Sequence, residues 1–263
     1  MIKITLRSAD GREAAFAEGE REVSLPVSRS YEEGDVIEFS FSEKEKSYVI
    51  SPDDVLGESL VYVKKDFSYP VPFGEKRLCY SPRAFTGEKH LITARAAEEW
   101  EDTAYRNLAF NPMDIHGNDG FYPHASANVE TRGESVFAAR NAIDGLTANH
   151  FHGEWPYSSW GINRDPEAAF KVEFGREAAV DAVELVLRAD FPHDAWWRQA
   201  SVRFSDGTSL DLPLVKSDAG QRFSFPEKKI EWLVLEKLIK ADDPSPFPAL
   251  TQIRVFGKPV PRD

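Results

Sequence analysis

Apolar and polar residues alternate along most of this chain, as in its first stretch, IKITLR at 2–7. Successive side chains of a strand point to opposite faces, so a period of two predicts half-buried strands. Turn signals such as ADG, EEGD and SPDD separate these stretches. In the first hundred residues the predicted strands are 2–6, 23–27, 37–41, 59–64, 77–81 and 90–95. Short strands at this regular spacing predict an antiparallel β-sandwich.

The composition agrees with this fold class and argues against two classes of binding partner. The 263 residues hold 17 Pro and 16 Gly, which interrupt helices, and 41% are hydrophobic, enough for one large or two modest cores. The net charge of -12 argues against nucleic acid and against an anionic membrane as partners. Cys79 is the single cysteine, which excludes an intramolecular disulfide and a Cys-rich zinc site. Its place in RLCYS predicts a buried, inert thiol.

The sequence also carries an expectation about the compartment. The opening MIKITLRSADG mixes charged and apolar residues, which is not the pattern of a signal peptide. No apolar run approaches the roughly 18 residues of a transmembrane helix. We therefore expect a cytoplasmic protein.

Near the middle of the chain, the apolar residues change from the period of a strand to that of a helix. In the stretch 96–114, Ala97, Trp100, Ala104 and Leu108 follow a helical spacing that ends at an Asn-Pro pair. This predicts a short helical linker, followed by a polar loop. The predicted organisation is a β-sandwich at 1–95, a linker and loop at 96–120, and a second β-sandwich at 121–263.

Period-two stretches return in the second half. They are 170–174, 183–187, 202–204, 210–214, 230–234 and 253–255. The SDGT at 205–208 predicts a hairpin turn, and ESVFAARNA at 134–142 favours a helical piece.

Several motifs of the second half stand in a recognisable order. RNAIDGLTANH at 140–150 precedes VEFG and the V-x-x-V-x-L-x-L-R strand, then the FSDG hairpin, and L-x-x-I-x-V-x-G closes the chain. This order resembles the galactose-binding-like fold of discoidin domains, coagulation-factor C domains and bacterial carbohydrate-binding modules. The resemblance implies a jelly-roll sandwich for about 121–259. It also implies non-catalytic binding of a mono- or oligosaccharide by loops at one end of that sandwich.

The resemblance further implies a structural cation, usually calcium, at the AIDG turn. Asp144 and Thr147 match the side-chain ligands, and Arg140 and Asn141 supply carbonyl oxygens. Gln252 stands where the family often has glutamate. Its amide oxygen is still a calcium ligand, but one negative charge is lost. The alternative is that Asp144 only ties the turn through backbone N–H groups.

Two polar, aromatic stretches supply the candidate ligand residues. They are HFHGEWPYSSWG at 150–161 and RADFPHDAWW at 188–197. Aromatic rings stack on the C–H faces of sugars, while Arg, Asp and His bind hydroxyl groups. The predicted ligand residues are His150, His152, Trp155, Tyr157, Arg188, Asp190, His193, Asp194 and Trp196. Packing explains part of this set: Trp160 is expected in the core, and so is one of the adjacent pair Trp196 and Trp197.

Other functions remain open at this point. The H-x-H pair could bind a metal with His193, Asp190 or Asp194 as third ligand. Glu154 lies too close in sequence for the cupin pattern. A hydrolase could use Ser158 or Ser159 with a His–Asp pair, or Glu154 with Asp190 or Asp194. A structural or assembly protein could bury the aromatics at an interface, and a homo-oligomer is compatible with the sequence. The sequence favours binding over catalysis, and no catalytic residue is assigned.

Overall fold

The computed structural model describes residues 1–189 and 195–261. Antiparallel strands dominate these residues, whose single α-helix, α1 (Glu99–Thr103), is five residues long. The all-β prediction is confirmed. Across the same two ranges, none of the helices has the length and apolar character needed to cross a membrane.

The first half is a β-sandwich of two antiparallel sheets around one hydrophobic core. Its strands are β1 (Ile2–Arg7), β2 (Glu13–Gly19), β3 (Glu22–Val27), β4 (Val36–Phe41), β5 (Lys46–Ser51), β6 (Ser59–Val63), β7 (Phe67–Pro70) and β8 (His90–Ala96). One sheet has the order β2-β1-β4-β7, and the other contains β6-β5-β8-β3. The period-two pattern correctly marks the inward positions: Ile4, Ile37 and Phe39 are completely buried.

The second half surrounds another core with one antiparallel sheet. Its strands are β9 (Arg106–Asn107), β11 (His124–Ala127), β12 (Trp160–Gly161), β13 (Phe170–Leu187), β14 (Trp197–Phe204), β15 (Ser209–Pro213), β16 (Gln221–Lys240) and β17 (Ala249–Pro259). The short strand β10 (Phe121–Tyr122) pairs with β6 of the first half instead. The order is β12-β17-β13-β16-β14-β15, with β11 on β13 and β9 on β17. Register shifts interrupt β13 between Glu173 and Ala178. Such bulges bend a long strand, which lets one sheet curve around a core.

The predicted hairpin is confirmed. The adjacent strands β14 and β15 pair antiparallel, and the backbone N–H of Thr208 donates to the Asp206 carboxylate at 2.8 Å. Gly207 has a φ of 84°, which glycine adopts without strain.

The segment predicted as a linker crosses between the two halves. After α1, β9 pairs with β17 of the second sheet, so the helix ends well before Leu108. The chain then returns, and Phe121 of β10 pairs with Val63 of the first sandwich. The predicted boundary at 121 assigns Phe121 to the second sandwich, but this residue lies in the core of the first, together with Phe137. Trp100, part of the supposed helical stripe, is 71% exposed.

Two other local predictions need correction. Residues 77–81 form no strand, because a 3-10 helix at Gly74–Arg77 leads into turns there. Cys79 is nevertheless buried as predicted, and burial raises the pKa of its thiol, which keeps it protonated. The helical piece at 134–142 is two separate 3-10 turns, Ser135–Phe137 and Ala139–Ala142.

Candidate functional site

The loop between the second 3-10 turn and β12 carries four exposed ring side chains. A bridge between Phe151 and Glu154 closes its tip, and the backbone N–H of His150 donates to the carbonyl of Pro156 at 2.7 Å. The exposed rings are those of His150, Phe151, His152 and Trp155. Trp155 is 37% exposed. The loop therefore exposes aromatic and imidazole side chains on its surface.

Trp160 anchors this loop in the core of the second half. Its side chain is completely buried, and its indole N–H donates to the carbonyl of Val129 at 3.0 Å. Trp197 is also completely buried, with its ring centroid 6.4 Å from that of Trp160. Trp196 is half-buried and packs against the same core. The expected core positions of Trp160 and of one member of the 196–197 pair are confirmed.

Arg188 joins the end of β13 to this loop. Its guanidinium donates to the side-chain oxygen of Asn149 at 3.2 Å and to the hydroxyl of Ser159 at 3.5 Å. The guanidinium carbon is 5.9 Å from the ring centroid of Tyr157. The two stretches singled out in the sequence therefore meet in space at Arg188. Asp190, His193 and Asp194, and with them the other half of the second stretch, lie outside the described residues.

A cleft of about 160 Å³ opens beside this junction. His152 and Arg188 line it, and so do Arg132, Arg164 and Phe247, which the sequence did not single out. Pockets that enclose drug-sized ligands have volumes of about 300–1,000 Å³. The cleft therefore suits a single ring or a polar group, with the rest of a larger ligand outside it.

Arg164 and Phe247 form a partly exposed wall of the cleft. The guanidinium carbon of Arg164 lies 4.3 Å from the centroid of the Phe247 ring, a close cation–π contact. Phe247 is 42% exposed. Arg164 follows Asn163, and both have positive φ values, 63° and 49°. Their loops meet because β12 pairs with the first residues of β17.

The two histidines of the H-x-H pair have different surroundings. The imidazole of His152 is 6.5 Å from the ring of Phe137 and 6.0 Å from that of Tyr157. The Nε2 atom of His150 instead lies 3.6 Å from a carboxylate oxygen of Glu154. Within 1–189 and 195–261 no three His, Cys, Asp or Glu side chains are grouped to hold a metal ion.

The serines of the hydrolase alternative are poorly placed for attack on a ligand. Ser158 and Ser159 are both buried, and Ser159 accepts a hydrogen bond from Arg188. A nucleophilic hydroxyl needs a base within hydrogen-bonding reach and access to the substrate. These contacts favour a supporting role of Ser159 beneath Arg188.

The predicted cation turn is held by direct hydrogen bonds between its own groups. The Nε2 atom of Gln252 donates to the Asn141 carbonyl at 2.7 Å, to Asp144 Oδ1 at 2.7 Å and to the Leu146 carbonyl at 3.3 Å. Its Oε1 atom accepts from the backbone N–H of Gly145 at 2.9 Å. We call this network of residues 141, 144–146 and 252 the Asp144 turn.

A buried cation of the protein itself stands next to this turn. The Nη1 atom of Arg140 lies 4.0 Å from Asp144 Oδ2, and Asp144 Oδ1 also accepts from the backbone N–H of Leu146 at 2.8 Å. Burial raises the pKa of Asp144 to about 6, against the lowering effect of Arg140 and of these hydrogen bonds. Thr147, the remaining predicted ligand, is exposed.

No protein-family model matches the chain, and no curated protein matches it. Solved structures with similarity to it include the lectin domain of lectinolysin complexed with Lewis b antigen, at 19% identity and a TM-score of 0.43 over 58% of this chain and 96% of that one. A family 32 carbohydrate-binding module of NanJ from C. perfringens, in complex with galactose, is 16% identical with a TM-score of 0.40, over 50% of this chain and 91% of that one. A fucose-binding module of Streptococcus pneumoniae is 15% identical with a TM-score of 0.42, over 59% of this chain and 96% of that one. These three matches cover between 50% and 59% of this chain.

Proposed function

We propose that this chain binds a carbohydrate without catalysing its turnover, and that the cleft and the adjoining loop form the binding site. The observation that carries the proposal is the junction at Arg188. There, the guanidinium of Arg188, the residue after β13, meets Asn149, Tyr157 and Ser159 of the aromatic loop. The resemblance of the sequence to carbohydrate-binding modules also implies a sugar ligand held by loops.

The side chains of the site match the two surfaces of a sugar ring. A pyranose presents C–H groups on its faces, which pack on aromatic rings, and hydroxyl groups at its edges, which accept hydrogen bonds from charged donors. Phe247 and Trp155 offer exposed aromatic surface. Arg164 and His152 offer donors beside it. The volume of the cleft fits one ring, while the loop would contact a neighbouring residue of a longer glycan.

The predicted ligand residues occupy different places in the proposed site. His152 and Arg188 line the cleft, and Tyr157 contacts both of them. His150 and Trp155 lie on the exposed face of the loop. Trp196 packs against the core and is therefore assigned a supporting role. Arg164 and Phe247 join the proposed set.

The test is glycan-array screening of the full chain, followed by isothermal titration with the best glycan. Trp155→Ala and Phe247→Ala should each weaken binding about tenfold, since an aromatic contact of about 1–1.5 kcal/mol is lost. Trp100→Ala is the matched control, because it removes an exposed tryptophan from α1, which lies outside the site. The proposal fails if no glycan binds. It also fails if the two site variants bind as tightly as Trp100→Ala.

A further inference from the structure

We propose that hydrogen bonds from the amide of Gln252 hold the Asp144 turn together in place of a metal ion, so that the second sandwich folds without calcium. The three oxygens around its Nε2 atom are two backbone carbonyls and a carboxylate. Such oxygens are the ligands that calcium takes in proteins. In this chain they are already satisfied by the hydrogens of one amide group.

The orientation of this amide is fixed by its other atom. The backbone N–H of Gly145 needs an acceptor, and Oε1 of Gln252 is that acceptor. An amide has one acceptor oxygen and one donor NH₂ group. If Oε1 turned towards a cation among the three oxygens, the NH₂ group would face the N–H of Gly145, donor against donor. The amide oxygen of Gln252 can therefore accept the hydrogen bond from Gly145 or bind a cation, but not both.

A glutamate at the same position could make both interactions. A carboxylate has two acceptor oxygens, so one could accept from Gly145 while the other binds a cation. The loss of the donor NH₂ group would also leave the carbonyls of Asn141 and Leu146 without this partner. One atom of residue 252, nitrogen in place of oxygen, separates a turn closed by hydrogen bonds from one that needs a metal.

The charges around the turn lead to the same conclusion. Asp144 contributes one negative charge, and the guanidinium of Arg140 already lies 4.0 Å from it. Arg140 is itself buried and held by three hydrogen bonds. A divalent cation placed beside Asp144 would be repelled by this fixed positive charge, and the neutral Gln252 adds no compensating charge.

The experiment compares the melting temperatures of the wild-type chain and of Gln252→Glu in excess EDTA and in millimolar calcium. We expect the wild-type value to be the same in both. Gln252→Glu should melt lower in EDTA, because it places a second carboxylate beside Asp144. Calcium should raise its melting temperature by roughly 5–10 °C at about a hundred times the dissociation constant. Gln221→Glu is the matched control, since it adds the same charge in a different part of the sandwich and should not respond to calcium.

Two results would overturn the proposal. One is a wild-type melting temperature that rises with calcium and falls again with EDTA. The other is a folded Gln252→Glu protein that does not respond to calcium. If Gln252→Glu folds only when calcium is present, the proposal is supported. If it does not fold in either buffer, the wild-type comparison decides, since it needs no variant. None of these outcomes depends on whether a sugar binds.

Discussion

Replacing Arg140 by Met should destabilise the protein more than a change at almost any surface site. The guanidinium donates to the carbonyls of Asp114 at 2.8 Å and Pro112 at 2.7 Å, and to the side-chain oxygen of Asn141 at 3.0 Å. It also lies 4.5 Å from the ring centroid of Tyr80, which belongs to the core of the first sandwich. Arg140 therefore links both halves of the chain at one buried point.

The expected cost follows from what the substitution leaves behind. Methionine fills much of the volume but donates no hydrogen bond, so two buried carbonyls lose a partner and Asp144 loses its neighbouring cation. Removing one member of a buried ion pair costs about 3–5 kcal/mol. In a protein of this size that corresponds to a fall in melting temperature of roughly 6–20 °C. Arg140→Lys keeps the charge but loses the fork of donors, so its cost should be smaller.

The loss should also depend on pH. Burial raises the pKa of Asp144 to about 6, above its ordinary value of 3.8, so the folded chain holds this proton more tightly than the unfolded chain. The stability that the group contributes is therefore full below pH 3.8 and is lost as the pH rises through about 6. Without Arg140 the pKa rises further. The difference between wild type and Arg140→Met should thus be smaller near pH 4 and larger near pH 8.

Urea unfolding followed by tryptophan fluorescence measures this difference at each pH. Arg203→Met is a suitable control, because it also removes an arginine from an ion pair, with Glu236, that is partly exposed. A loss below about 1 kcal/mol for Arg140→Met would refute the reasoning. So would a loss that does not change between pH 4 and pH 8.

Three further predictions concern other buried contacts. Burial lowers the pKa of His124, but the hydrogen bond and the charge of Asp114 raise it more, so its stabilising effect is full below pH 6.5 and declines as the pH rises through the raised pKa. His124→Gln should flatten this part of the curve of melting temperature against pH, and an unchanged curve would contradict it. Trp160→Ala should cost about 3–5 kcal/mol in urea unfolding, since the whole side chain is buried, and a cost near zero would contradict the packing. Gly257→Ala should lower the melting temperature, because its new Cβ atom would lie 2.2 Å from the carbonyl oxygen of Ala179, and an unchanged value would disprove that close approach.

The strands were predictable where the signal is local. The alternation at Ile2, Ile4 and Leu6 reports the two faces of one strand, and it needs no knowledge of the partner strand. The same reasoning failed at 77–81, where alternating residues lie in turns after a 3-10 helix. The helical spacing that extended to Leu108 also misled, because β9 pairs with the edge of β17 before that residue.

Residue chemistry pointed to part of the candidate site, but the sequence could not supply its geometry. Arg188 and the loop at 150–161 stood out because they combine aromatic and charged side chains. Arg164 and Phe247 gave no such signal, since each lies in an ordinary polar or proline-rich turn. They are neighbours only because β12 pairs with the start of β17, about ninety residues away along the chain. An interaction of that range leaves no pattern in either segment alone.

The crossing of residues 106–137 between the two sandwiches limits how this chain can be cut. A fragment that starts at residue 121 would carry Phe121 and Phe137 without the core that covers them, and it would expose the edge of β17 that β9 now pairs with. A fragment that ends at residue 95 would lack the same two phenylalanines. We therefore expect that the second sandwich cannot be fused to another protein at the predicted boundary without exposing these surfaces. A fragment with both halves should be the smallest one that keeps both cores covered.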